Sequence, residues 1–452
     1  MSAIAQRLES RPAGLLPAAL TGLFATTLGA AVAFDPRAAA ILAAALLAPV
    51  LVWAAPRVSF ALLAVSLGLN LDLLRAPVFV SLPQLAAIAL TTAVFIRRPP
   101  AGIRAGLAAG AGLLFLVATL PSVPAAVDPG AAYTGLVKLA VLALLLTAAV
   151  RGTVERWVRP EQLTDWLVAG ALLSLVPAFT QVLLGIGPES FRVGGVMRAW
   201  STYTQPNSYG LYLAGLFPVA LGSALARRRV AGFAAAAAIL LAIALTGSRG
   251  AWAGAAAGLL AFFAATTRWR ATHVAAVVFA VLAIVGIASL VPAGFIAGRF
   301  DLGDWSLQQR VLLLLTAWDG ILRNPIAGYG GGSFEHLLPA IARQGLTDDV
   351  VLSHNVLLDI WFELGLTALL CFVGFVTVFL VRAFRAARRT HDARLAGLFA
   401  GVAGLLVAAL FGTLFIRGVQ ETFVLLMAAG IGLMRLAPRH PPETYNAPAP
   451  AV

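Results

Sequence analysis

Charge is scarce in this chain. Only 11% of its 452 residues are Asp, Glu, Lys or Arg, against about 25% in an ordinary soluble domain. That deficit excludes a soluble enzyme. With 60% hydrophobic residues, the chain is also neither disordered nor a coiled coil. Lysine is nearly missing: of 32 basic residues only Lys138 is not arginine. The single cysteine, Cys371, stands in an apolar stretch. No intrachain disulfide is possible, and the residue reads as a small core hydrophobe. No His/Cys/Asp spacing resembles a zinc site. There is no Gly-x-Ser-x-Gly elbow, and the glycines at 328–332 lack the Lys and Ser/Thr of a P-loop.

What the chain has is apolar length. Its mean hydropathy is +0.92. A spanning helix needs about 20 apolar residues, so about 14 spans would use ~280 of them. Apolar runs fall at 14–34, 38–55, 58–74, 79–96, 104–121, 131–150, 163–185, 206–226, 231–247, 251–267, 273–293, 356–380, 394–414 and 420–436. The third is interrupted at its end by Asn70 and Asp72, and the ninth and tenth suit a hairpin that does not fully cross. The expected fold is therefore all-α: a polytopic integral membrane bundle of 12–14 transmembrane helices with one large helical periplasmic loop.

Fourteen spans place both termini on one side. Most of the 32 basic residues then fall on that side, including Arg97, Arg98, Arg227–Arg229 and Arg382–Arg389. The positive-inside rule makes it cytoplasmic. The net charge of +13 thus reads as topology, not as nucleic-acid binding. The loops at 186–205 and 294–355 become periplasmic. The implied organisation is amino-terminal spans over 1–185, spans with arginine-bearing outer loops over 186–293, the large loop over 294–355, carboxy-terminal spans over 356–436, and a disordered cytoplasmic tail over 437–452. Within the large loop, Val311, Leu314, Trp318 and Ile321 recur at helical spacing. They predict an amphipathic helix on the membrane surface that ends at Asn324-Pro325. A flexible glycine turn and a short helix over 334–343 follow.

The outer face gathers the residues that carry chemistry. Arg249 lies in Thr246-Gly247-Ser248-Arg249-Gly250, between two apolar runs. The structural alternative is an arginine snorkelling to headgroups. The functional reading is an anion contact beside a helix N-terminus. Arg192 and Arg198 precede Pro206-Asn207 in the earlier outer loop, which a plain solvated loop would also explain. Arg310 sits on the amphipathic helix, where a polar-face role is the alternative. His354 lies in Ser353-His354-Asn355 at the mouth of a span, with His336 as a competitor. Guanidinium suits phosphate, and imidazole accepts protons near neutral pH. Together they suit a phosphate leaving group and a hydroxyl acceptor, for which a lipid-linked pyrophosphate is the membrane-borne candidate.

These motifs, in this order over about residues 190–370, resemble the O-antigen ligase/polymerase superfamily. The resemblance rests on Arg192, Gly195, Pro206-Asn207, Thr246–Gly250, Arg310 with Trp318, Asn324–Phe334, Ser353–Asn355 and Glu363-Leu364-Gly365. It implies a glycosyltransferase that moves a glycan from undecaprenyl diphosphate to an acceptor hydroxyl, inverting the anomeric carbon without metal, cofactor or nucleotide sugar. Arg249 and Arg310 would bind the diphosphate, and His354 would be the base. Beyond what the resemblance implies, Arg192 and Arg198 are read as auxiliary phosphate contacts, with Asn207 and Asn355 also binding substrate. The acceptor is lipid A–core for a ligase, or a second lipid-linked glycan for a capsule, exopolysaccharide or O-antigen polymerase. The implied place is the bacterial inner membrane. A lipid-linked oligosaccharide flippase is the alternative of another class, although no internal repeat is visible.

Overall fold

The computed structural model describes residues 56–74, 80–97, 106–266, 305–346 and 353–436. The runs expected at 14–34, 38–55 and 273–293 and the tail at 437–452 lie outside these residues. Thirteen α-helices account for most of the described chain: α1 (Pro56–Leu69), α2 (Leu82–Arg97), α3 (Gly106–Thr119), α4 (Pro129–Val154), α5 (Pro160–Leu184), α6 (Pro206–Arg227), α7 (Val230–Leu245), α8 (Arg249–Thr266), α9 (Trp305–Arg323), α10 (Ser333–Ile341), α11 (Val356–Thr390), α12 (Ala393–Ala409) and α13 (Val419–Leu436). Five of them, α4, α5, α6, α11 and α13, are long and apolar enough to cross a membrane. The protein is a polytopic helical membrane protein.

Helix starts follow local chemistry. Proline begins α4, α5 and α6, where its missing N–H is no loss. Asp128, Asn355 and Asp392 cap α4, α11 and α12, each accepting two backbone N–H groups. The run at 58–74 departs from expectation. Its helix stops at Leu69, Asn70 takes φ +31°, and Asp72–Leu74 pairs with Val80–Ser81 as a short antiparallel hairpin. A second hairpin, Arg192–Val193 with Val196–Met197, turns on Gly194-Gly195. Their φ values of +54° and +79° are those that glycine adopts without strain.

The centre of the bundle is a seam of small residues. A Cβ on Gly401 would stand 2.4 Å from the Gly215 carbonyl oxygen, and one on Gly404 would stand 2.6 Å from that of Gly254. Backbones of α6, α8 and α12 therefore touch. Such contact is how membrane helices gain dispersion energy where lipid offers no hydrophobic drive.

The large loop forms its own small core. Leu313, Ala317 and Ile321 of α9 pack with Phe334 and Leu338 of α10 and Phe362 of α11. This corrects the expected stripe: Ile321 turns inward, whereas Val311 and Trp318 are exposed together with Leu315 and Leu322. The helix carries two apolar faces, and sequence spacing alone cannot say which one meets protein. The glycine turn also differs from expectation, because it is fastened. α11 breaks at Gly365 (φ +84°, ψ +174°), and this frees carbonyls for other donors. Tyr329 N–H donates to Phe362 O at 3.0 Å, and Gly330 N–H to Glu363 O at 2.8 Å. Leu366 N–H returns to Ile326 O at 3.1 Å.

Candidate active site

The site begins where α12 ends. The last carbonyls of a helix have no intrahelical partner. Here Leu410 O accepts Asn355 Nδ2 at 3.2 Å, and Phe411 O accepts Arg310 Nη1 at 3.3 Å. The first turn of α8 packs against the same place. A Cβ on Gly250 would lie 2.7 Å from Phe411 Cβ and 3.1 Å from Ala408 O. Residues 408–411 thus bring together the Arg249 turn, Arg310 and the Ser353–Asn355 segment, which lie more than 40 residues from one another along the chain.

The Arg249 turn is itself tied to the earlier loop. Gly247 takes φ +58°, and Ser248 Oγ accepts Ala251 N–H at 3.4 Å to open α8. Arg198, 8% exposed, donates from Nε to Thr246 O at 2.6 Å and from Nη2 to Asn207 Oδ1 at 2.8 Å. Gln181 bonds Ser201 through N–H and carbonyl together. The second half of this loop is therefore packed into the bundle rather than solvated.

His354 is held from both sides. Asp359 Oδ1 accepts Ser353 Oγ–H at 2.6 Å and Ser353 N–H at 2.9 Å. Asn355 caps α11 through Leu357 and Leu358 N–H. Between these anchors His354 adopts φ +60°, an uncommon conformation for a side chain with Cβ and one often found at functional positions. Burial first, and the Arg310 charge second, depress its pKa from 6.5 to about 4. The imidazole is therefore neutral at pH 7, with one ring nitrogen unprotonated.

A cavity of about 690 Å³ opens beside this segment. His354, Asn207, Gly412, Thr413, Lys138, Glu335, His336 and Glu363 are among its lining residues. Asp359 also contributes to the wall. Two carboxyl oxygens on this wall, Asp359 Oδ2 and Glu363 Oε1, are buried without a hydrogen-bond partner among the described residues. Such groups call for O–H or N–H donors. His336 reaches the Asp128 carboxylate at 3.3 Å. The N–H of Ala131, then Gly130 and His336, hold that carboxyl below its ordinary pKa.

The structure gathers most of the expected residues. The Arg249 turn, Arg310 and Asn355 meet at residues 408–411, and His354 and Asn207 line the adjoining cavity. Arg198 grips the Thr246 carbonyl and Asn207. Arg192 is engaged elsewhere: it pairs with Glu189 at 3.1 Å and donates to Gly195 O and Gly185 O, bracing its own hairpin. Lys138, Thr413 and the cavity face of Glu363 were not legible as site residues. The one available signal was a lone lysine inside an apolar span.

The fold and site define a membrane-embedded helical protein in which the Arg249 turn, Arg310 and the Ser353–Asn355 segment meet at one helix end, with a neutral His354 lining the adjoining cavity. Residues 234–373 match the family model described as O-antigen ligase. That match supports membership of the O-antigen ligase superfamily. It contains Arg249, Arg310 and His354, whereas Arg192, Arg198 and Asn207 lie outside it. No curated protein matches the chain.

Proposed function

We propose that the protein transfers a glycan from an undecaprenyl-diphosphate donor to an acceptor hydroxyl on the periplasmic side of the bacterial inner membrane, as an O-antigen ligase whose acceptor is lipid A–core. One observation carries this reading: three segments bearing Arg249, Arg310 and His354 meet at the end of α12, beside the cavity that His354 lines. The O-antigen ligase match over 234–373 supports it.

In this mechanism the arginines hold the donor diphosphate through charge-assisted hydrogen bonds. His354 accepts the proton of the acceptor hydroxyl. The freed oxygen attacks the anomeric carbon from the face opposite the phosphate. The anomeric C–O bond to phosphate breaks, and the arginines stabilise the departing charge. Configuration inverts in this single displacement. The exposed face of Val311, Leu315, Trp318 and Leu322 on α9 suits a helix resting on the bilayer surface above the site.

The test is in vitro transfer from a purified lipid-linked glycan to two acceptors, lipid A–core and a second lipid-linked glycan. His354→Ala and Arg249→Ala should retain a monodisperse, helical protein and lose transfer by at least about 100-fold, the usual contribution of a general base or charge-stabilising group. Wild-type turnover by His354→Ala would remove the proposed base. Preference for the second acceptor would make the enzyme a polymerase.

A further inference from the structure

The segment before α6 closes the end of α7. Ala199 N–H donates to Leu245 O at 2.9 Å, and Arg198 Nε donates to Thr246 O at 2.6 Å. Carbonyls at a helix end have no helical partner and lie at the negative end of its dipole. An arginine is well placed there. With 8% of its surface exposed, Arg198 is committed to contacts within the protein. Its other arm crosses to α6, where Nη2 donates to Asn207 Oδ1 at 2.8 Å. The first turns of α6 also pack on the Arg249 turn: a Cβ on Gly210 would stand 2.7 Å from Ala251 Cβ and 3.2 Å from Thr246 Oγ1.

The Arg198 bond settles which way the Asn207 amide faces. A guanidinium only donates, so the amide atom that meets it is the oxygen, and the N–H2 group points elsewhere. Nδ2 has no acceptor among the described residues. Asn207 lines the polar cavity, as His354 does. We propose that Arg198 is a positioning residue: it turns the Asn207 amide so that the N–H2 group donates to a hydroxyl oxygen of the acceptor sugar. The inference rests on the glycan-transfer reading above and adds an acceptor contact to it. In that reading His354 takes the proton of the acceptor hydroxyl, and Asn207 shares its cavity. A neutral amide suits a neutral sugar oxygen, whereas Arg249 and Arg310 serve the diphosphate. The charge of Arg198 also polarises the amide that it holds and strengthens the N–H2 group as a donor.

Asn207→Asp separates the two ends of the side chain. The carboxylate still accepts from Arg198 but carries no N–H. The melting temperature in detergent should therefore hold, while KM for lipid A–core in the transfer assay rises about fivefold, the loss expected for one hydrogen bond, with little change in kcat. Asn207→Ala also deprives Arg198 of its acceptor, so it should raise the same KM and lower the melting temperature as well. A purely structural Asn207 gives Asn207→Asp a wild-type KM, and that result overturns the proposal. So does a rise in donor KM alone, or weaker binding of inorganic pyrophosphate by Asn207→Ala, either of which places the amide on the donor. Arg198→Met tests the coupling. If Arg198 acts through Asn207, the double variant Arg198→Met/Asn207→Ala raises the acceptor KM no more than the larger single effect. Effects that multiply make Arg198 an independent contact and refute its positioning role. If Arg198→Met does not fold, the split between stability and KM in Asn207→Asp decides. Transfer with an unchanged KM in Asn207→Asp removes only the amide contact. A wild-type protein that transfers no glycan, yet binds lipid A–core about fivefold more tightly than Asn207→Asp does, removes the transfer reading and leaves the sugar contact standing.

Discussion

The protonation of His354 offers the sharpest test of the site's electrostatics. A pKa of about 4 in place of 6.5 disfavours the imidazolium by about 3 kcal/mol, taking roughly 1.4 kcal/mol per pH unit. At pH 7 about one molecule in a thousand then carries the proton. Two causes add, burial first and the Arg310 charge second. Arg310→Gln removes only the second. The pKa should therefore rise above 4 and stay below 6.5. Inorganic pyrophosphate bound at the arginines should shift wild-type His354 in the same direction, because its negative charge offsets Arg310. The protein has five histidines. Imidazole-labelled protein followed by NMR across pH 3–8, with His354→Gln as the assignment control, reads the value directly. The linkage sign is also set. With the folded pKa below the unfolded one, the unfolded chain binds more protons between pH 6.5 and 4. The stability associated with His354 is thus fully present above about pH 6.5 and is lost as pH falls to about 4. An Arg310→Gln titration unchanged from wild type would refute the coupling. A return to 6.5 would refute burial as the larger cause.

Gly365→Ala should cost most of the transfer activity while the bundle stays assembled. Its φ of +84° is strained for any side chain, and a Cβ would meet Ile326 O at 2.2 Å, so the 326–330 turn would detach; increased proteolysis near residue 330 is the readout. Gly404→Val should lower thermal stability in detergent, because its Cβ meets the Gly254 carbonyl at 2.6 Å. Overpacking of this kind costs about 1–3 kcal/mol or more, and an unchanged melting temperature would refute the seam. Glu363 Oε1 on the cavity wall calls for a donor such as an acceptor hydroxyl, so Glu363→Gln should raise the acceptor KM about two- to tenfold with little change in the donor KM, a neutral hydrogen bond being worth about 0.5–1.5 kcal/mol. A rise in donor KM alone would move Glu363 to the diphosphate side. Transfer should persist in EDTA, and strict dependence on an added divalent cation would count against the proposed chemistry.

Composition and periodicity determined the class of this protein. Runs of about 20 apolar residues with few charges have one stable home, a lipid bilayer crossed by helices that satisfy their own backbone. Local chemistry also accounts for the helix starts at Pro129, Pro160, Pro206 and Asn355, because caps and proline act within a few residues. Arg249 and His354 stood out as costly or titratable groups at the ends of apolar runs, and Arg310 as a charge on the amphipathic helix. Only tertiary structure decided which of them meet. The end of α12 at Ala409, well before residue 414, releases the Leu410 and Phe411 carbonyls that receive Asn355 and Arg310. The break at Gly365 releases those that receive the glycine turn. Both are unpaired backbone acceptors, and what fills them comes from segments far away in the chain. The inward face of α9, the bracing role of Arg192 and the opening of Lys138 onto the cavity were hidden for the same reason. Sequence spacing reports which side chains share a face, and long-range packing chooses what that face touches.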